Sequence, residues 1–180
     1  PFVHPLFRNV TLMDGEDHKR LRKLVTEAFS SRGIDAMRPR IEAIADDLLD
    51  KLPKDRPVDL VAHYNRMLPM LAICELLGVP EADRDKVSRW LEPISRVRSP
   101  LSFLTAAPGL YRASRYFRRD FEEVRRTRRP GLIRELVEVR DGEDKLSDDE
   151  LLAMVVAVFI GGFDTTTHLI GNSLVTLIQD

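Results

Sequence analysis

The stretch VFIGGFDTTTHLI, Val158 to Ile170, places two glycines, a carboxylate and three threonines in the middle of an apolar run. The sequence around it has a helical pattern, so the stretch belongs to a helix. Glycine inside a helix costs about 1 kcal/mol relative to alanine. The adjacent Gly161 and Gly162 therefore indicate that another body lies close to the backbone, or that the helix kinks there.

Spacing alone leaves two interpretations of this stretch open. In one, a flat and bulky group lies against Gly161 and Gly162, and Asp164 and Thr165 offer a carboxylate and a hydroxyl as a proton path. In the other, which spacing alone favours, two helices cross at small residues and Asp164 pairs elsewhere. Under either interpretation, threonine hydroxyls can bond back to carbonyls one turn earlier and bend the helix.

The rest of the chain predicts further helices. Apolar periodicity places them over 14–30, 34–52, 64–77, 81–97, 110–127 and 130–140. A seventh helix begins after Ser147, which forms the S-x-x-E capping pattern with Glu150, and contains the opening stretch.

Two segments between these helices are assigned differently. Residues 58–61, VDLV, are predicted to form a short strand, and residues 98–109, RSPLSFLTAAPG, a loop or a pair of turns. The sequence predicts an all-α fold with minor strand and a single partial domain over 1–180. Because the first residue is Pro1 and the helical pattern runs to Asp180 without a stop signal, we expect a fragment cut within its long helix.

Composition narrows the class of protein. Hydrophobic residues make up 43% and charged residues 32%, and 28 basic residues balance 29 acidic ones, as in a soluble globular protein with no overall field for nucleic acid or a membrane. The apolar run 151–163 is shorter than the roughly 20 residues of a membrane span. The single cysteine, Cys74, cannot form an internal disulfide, which indicates a reducing, cytoplasmic compartment.

A second candidate site is His18-x-x-x-Arg22, whose residues share a helix face and could grip an anion. We expect both to point with Val25 toward the apolar side. The alternative, which the pair alone favours, is a solvated basic face, because other basic residues surround them, namely Lys19, Arg20 and Lys23.

An arginine-rich helix over 111–129 could bind nucleic acid. Acidic residues at Asp120, Glu122 and Glu123 interrupt it, and the chain as a whole is slightly acidic. A solvated helix whose long side chains cover apolar surface is the favoured interpretation.

Taken together, these motifs resemble the cytochromes P450, the haem-thiolate monooxygenases, in their soluble bacterial form. The central-helix signature of that family, a small residue, Gly, any residue, an acid and Thr-Thr, stands here as GGFDTT at 161–166. Its upstream signature stands as DHKRLRKLV at 17–25, followed by Ala28 and Phe29. ICELLGVP, 73–80, is similar to the end of the intervening helix. The order and spacing of all three agree over essentially the whole chain.

The resemblance implies a haem cofactor and residues that hold it. Gly161 and Gly162 would leave room for the porphyrin and its bound oxygen, and Thr165 would hydrogen-bond that oxygen. His18 and Arg22 would hold the haem propionates.

The resemblance also implies catalytic and substrate-binding residues. Asp164 and Thr165 would deliver protons while O2 is activated, and Ala157 and Ile160 would face a small to medium apolar organic substrate. Phe163 is not the commonest residue at its position in the family, and we expect it to reshape this side of the pocket.

The implied electron donor is an acidic ferredoxin-type protein, which would dock on three exposed basic residues, Lys19, Arg20 and Lys23.

The iron ligand of the family is not found in this sequence. We assign neither its Glu-x-x-Arg helix nor its glycine-flanked cysteine loop in this sequence, and Cys74 lies inside a predicted helix, so no residue here is assigned as a metal ligand. We therefore expect the chain to be inactive alone, as part of a monooxygenase. A non-catalytic relic of that scaffold and a helical regulatory or nucleic-acid-binding protein remain as alternatives.

Overall fold

The computed structural model describes residues 9–29, 31–95, 97, 99–139 and 143–179. Helices dominate it, and no β-strand occurs among these residues, so the predicted all-α class is confirmed without the minor strand. The helices are α1 (Gly15–Ala28), α2 (Ser31–Asp50), α3 (Met67–Leu77), α4 (Glu81–Ser95), α5 (Pro100–Thr127), α6 (Leu132–Glu138) and α7 (Asp148–Gln179).

The core lies where the N-terminal half of α7 packs against α3, α4, α5 and α6. Helix α4 also packs along α5, while α1 contacts α6 and α2 contacts α3. The side chains at the centre are almost fully buried: Cys74, Val87, Leu91, Phe117, Phe121, Leu152, Val155 and Phe159. This packing buries α7 on all sides from Glu150 to Val156, and beyond that it buries one side of the helix and leaves the other accessible.

Helix α7 begins with the capping box that the sequence predicts. The Ser147 hydroxyl donates to Glu150 Oε2 at 2.9 Å, and the Glu150 backbone N–H donates to Ser147 Oγ at 3.3 Å. The helix is long and apolar enough to cross a membrane, with a mean hydropathy of 1.5 over its most apolar window, and 39% of that window is buried within the protein. A core helix of a soluble protein meets the same criterion.

The predicted strand at 58–61 is wrong, and so is the predicted start of the third helix at Tyr64. The Asp59 carboxylate accepts the Ala62 N–H at 3.1 Å and opens a π-helical turn, Val61–Asn65, which leads into α3. In VDLV, Asp59 stands among apolar residues, as a polar residue does in the alternating pattern of a strand. In the structure it instead caps a helical turn.

The predicted loop at 98–109 is also wrong, because α5 begins at Pro100. Ser99 and Ser102 cap it reciprocally, and proline occupies the first turn, where its missing N–H costs nothing. Gly109 lies within this helix. A Cβ at this position would lie 2.3 Å from the Trp90 carbonyl oxygen of α4, so the position requires glycine. The glycine thus marks a close helix crossing.

The remaining predicted helices agree with α1, α2, α4, α6 and α7 to within a few residues at each end. The predicted ends at Ser30, Arg140 and Asp180 lie outside the described residues.

Candidate active site

One face of α7 carries most of the predicted site. Ile160, Gly161 and Thr165 are exposed, and Ala157 and Asp164 are half-buried on the same side. Their spacing of three and four residues aligns them along one face of the helix. The structure therefore brings together the side chains predicted for proton delivery and for substrate contact.

The two glycines of α7 face different surroundings. A Cβ added at Gly161 would meet no atom within 4 Å, whereas one at Gly162 would lie 3.0 Å from Ile73 Cδ1 of α3. Gly162 therefore fits the helix crossing that spacing alone favours. Gly161 fits the other interpretation, because the space beside its backbone is open.

The threonines bond back to the helix as predicted. Thr165 Oγ1 donates to the Gly161 carbonyl, and Thr167 Oγ1 donates to the Phe163 carbonyl at 2.8 Å. Within the part of the chain that the structure describes, the Asp164 carboxylate has no hydrogen bond or ion pair. It therefore lacks the pairing expected of it at a simple helix crossing.

Phe163 points away from the face that carries Gly161. Its ring is 1% exposed, stacks on Phe159 with 5.9 Å between ring centroids, and lies 5.4 Å below the Arg66 guanidinium. The expectation that Phe163 reshapes the pocket side is therefore wrong. Its large ring instead fixes the opposite side of α7 in the core.

Neither Arg66 nor Ile73 was predicted to support the site. Their contacts with α7 join residues about 90 positions apart, and such contacts leave no periodic signal in one sequence. A cationic residue that begins an otherwise apolar helix is the only local sign of Arg66.

His18 and Arg22 lie on α1, apart from the face of α7. Arg22 is exposed and His18 is half-buried, so the expectation that both point with Val25 toward the apolar side is wrong for Arg22. Residues advance by about 100° around a helix. Arg22 therefore falls at the edge of the buried stripe centred on Leu21 and Leu24.

Arg20 is not an exposed docking residue, and that expectation is also wrong. Its guanidinium bonds both carboxylate oxygens of Asp144, at 3.1 and 3.3 Å, and also pairs with Glu150. Burial alone would lower the pKa of Arg20, but the Glu150 and Asp144 carboxylates outweigh it and hold that pKa above its usual value.

Cys74 is a core residue. It is fully buried on α3, with Sγ 3.8 Å from Ser88 Oγ, and burial raises the pKa of its thiol. A buried neutral thiol is a poor metal ligand, because metals bind the thiolate. Among the residues that the structure describes, no group of His, Cys, Asp and Glu is arranged to hold a metal ion.

Several arginines of the segment 111–129 form ion pairs within the protein. Arg118 pairs with Asp149 at the start of α7, and Arg129 bonds both oxygens of the buried Asp120 at 2.8 and 2.9 Å. Arg125 pairs with Asp148 at 2.5 Å. These arginines join α5 to neighbouring segments, while others on the same helix, such as Arg112 and Arg119, are exposed.

The family model described as Cytochrome P450 matches residues 3–95, which is more than half of the chain. The chain belongs to the cytochrome P450 family. The open face at Gly161 and the basic pair on α1 therefore lie in a P450 chain. Members of this family generally carry haem.

Several P450 relatives match almost the whole chain. Vitamin D(3) 25-hydroxylase from Pseudonocardia autotrophica is 43% identical over 93% of this chain and 41% of its own length. 6-deoxyerythronolide B hydroxylase from Saccharopolyspora erythraea is 39% identical over 91% of this chain and 40% of its own length. The ligand-free structure of Cytochrome P450 TbtJ1 superposes with a TM-score of 0.89 at 34% identity, over 95% of this chain and 46% of that one. The chain thus spans about two fifths of the length of the curated relatives it matches.

The face of α7 fits the edge of a flat cofactor at Gly161. The empty space at its Cβ position admits a planar group, and the neighbouring Thr165 hydroxyl and Asp164 carboxylate supply polar atoms beside it. Cys74 would not supply a thiolate to haem iron, because it is buried in the core.

Substitutions in the intact P450 will show whether Gly161 and Gly162 have different neighbours. We expect Gly162→Ala and Ile73→Val to couple by about 0.5–1 kcal/mol, because valine lacks the Cδ1 atom that crowds the new Cβ. Gly161→Ala and Ile73→Val should be additive within about 0.5 kcal/mol. Chemical unfolding of the single and double variants measures both couplings. Equal coupling at the two positions would mean that both glycines serve the helix crossing.

Proposed function

We propose that this chain is the N-terminal and central part, a single partial domain over 1–180, of a haem-dependent monooxygenase. The intact protein activates O2 and inserts one oxygen atom into a small to medium apolar organic substrate. The observation that carries the proposal is the open face at Gly161, flanked by Asp164 and Thr165, in a P450 chain. The hydroxylase names of the relatives support it. The chain alone is inactive, because its single cysteine is a buried core residue.

Gly161, Thr165, His18 and Arg22 would hold the cofactor. Haem, when bound, supplies the oxygen activation that no side chain can perform. Gly161 presents bare backbone to the flat ring, and Thr165 presents its hydroxyl beside it. The cationic side chain of Arg22, with His18 one turn earlier, suits the carboxylates of haem. Gly162 has its side-chain space taken by Ile73, so we assign it to packing.

Asp164 and Thr165 would move protons to the reacting oxygen. The Thr165 hydroxyl holds its own proton toward the Gly161 carbonyl, which leaves its lone pairs available to accept another hydrogen bond. The half-buried Asp164 carboxylate has no partner among the described residues, so it can pass protons between solvent and the face of α7. Ala157 and Ile160, one turn earlier, would contact the apolar substrate.

Thr165→Ala in the intact protein should uncouple O2 consumption from substrate oxidation. Without the hydroxyl, we expect the fraction of consumed O2 that appears in product to fall about tenfold. Simultaneous measurement of O2 uptake, peroxide and product gives that fraction. The matched control is Thr176→Ala, which removes a hydroxyl bonded back in the same way to the Asn172 carbonyl three turns later. An unchanged product yield in Thr165→Ala would contradict the assigned role.

An acidic ferredoxin-type protein would deliver electrons at the exposed side of α1, and the protein would work in the cytoplasm. Lys19 and Lys23 are exposed beside Arg22, and the ion pair of Lys19 with Glu16 lies at the surface, whereas Arg20 pairs with Asp144 and the buried Glu150. Opposite charges on the two proteins would speed their encounter.

The double variant Lys19→Glu/Lys23→Glu should slow electron transfer from such a donor about tenfold at low ionic strength and much less at high salt, because salt screens exposed charges. Stopped-flow reduction of the intact protein measures the rate. The control Arg119→Glu/Arg126→Glu makes the same net change on the exposed side of α5. If both double variants slow the reaction equally, the donor senses net charge and the docking site on α1 is wrong.

A further inference from the structure

Arg20 joins α1 to the beginning of α7. One end of its guanidinium bonds the Asp144 carboxylate, just before α7, and the other end pairs with Glu150 in the first turn of α7. The Arg20 side chain is 31% exposed, and the Glu150 side chain only 6%. Outside this link, the described part of α1 packs against α6 rather than α7.

Both carboxylate oxygens of Glu150 have partners. Oε1 pairs with Arg20, while Oε2 accepts hydrogen bonds from the Ser147 backbone N–H at 2.8 Å and its hydroxyl at 2.9 Å. A buried carboxylate that loses its only cationic partner is left with an uncompensated charge. The capping box thus holds Glu150 still, and Glu150 in turn holds Arg20.

This link lies opposite the side of α1 that carries His18 and Arg22. His18 and Arg22 lie two residues before and two residues after Arg20. Two residues correspond to about 200° around a helix, so both side chains project from roughly the far side of α1. The buried Leu21 and Leu24 set the rotation of α1 against the core, and the pairing of Arg20 with Asp144 and Glu150 adds a second attachment, to α7, on the side opposite His18 and Arg22.

The link also sets a distance along α7. Glu150 precedes Gly161 by eleven residues, or about 16 Å along the helix axis. A rigid α7 therefore transmits the position of α1 to the face that carries Gly161 and Thr165.

We propose that Arg20 is a positioning residue for the cofactor. It holds the side of α1 that carries His18 and Arg22 at a fixed orientation and distance from the open face of α7, so that both helices contact one haem. This inference rests on the proposed function, and it assigns Arg20 a role in retaining the cofactor without contact to it.

The test measures how fast haem leaves the intact ferric protein when an excess of apomyoglobin captures it. Arg20→Gln should release haem about tenfold faster than the parent, since residues that orient ligands affect affinity on this scale. Glu150→Gln should have a similar effect, and Arg20→Lys should restore part of the retention. The matched control is Arg118→Gln, which breaks an ion pair to Asp149 in the same turn of α7 but from α5. Its release rate should stay close to that of the parent.

A stability control separates positioning from general loosening. Val87→Ala opens a cavity in the core on α4, away from α1, and its Tm and haem release are measured alongside the other variants. Release from Arg20→Gln that exceeds the trend set by Tm supports the inference. Release that simply follows Tm across all variants would overturn it. A parent protein that binds no haem would overturn the proposed function as well, so the two failures are distinguishable.

Discussion

The contact between α7 and α3 determines what the rest of the structure can do. Ile73 fills the space beside Gly162, and the guanidinium of Arg66 covers the ring of Phe163 on the same side. Together they fix the rotation of α7, so that the face with Gly161 turns outward. Because Phe159 and Phe163 are buried on one side of α7, helix geometry places Ala157, Ile160, Asp164 and Thr165 toward the other side. The opening stretch therefore contains both a helix crossing and an open site.

The open face and α1 depend on different kinds of interaction. Apolar packing and a cation over an aromatic ring hold the middle of α7, where the site lies. At its beginning, ion pairs and a capping box add to the apolar packing of Leu151 and Leu152, and α1 and α5 attach there through Arg20 and Arg118. Charge pairs need specific geometry, whereas apolar contacts tolerate small shifts.

Much of the fold was predictable from sequence, because helix periodicity and capping are local. The Ser147–Glu150 box and the apolar stripe of α1 were found correctly. The start of α5 is not predicted: the loop or pair of turns expected at 98–109 is helix from Pro100, and proline is well suited to a first turn. The two glycines could not be separated by sequence, since the atom that distinguishes them belongs to Ile73 of another helix. Arg20 was taken for an exposed charge for the same reason: its carboxylate partners lie more than 120 residues away.

We propose that the open face of α7 would receive a haem whose thiolate ligand comes from a residue other than Cys74. The most direct test is the absorption spectrum of the reduced, carbon monoxide-bound intact protein, recorded for the parent and for Cys74→Ala. The account predicts the red-shifted Soret band of a thiolate-ligated haem in both proteins, because Cys74 is a buried core residue. Absence of that band from the parent, or its loss in Cys74→Ala alone, would contradict the account.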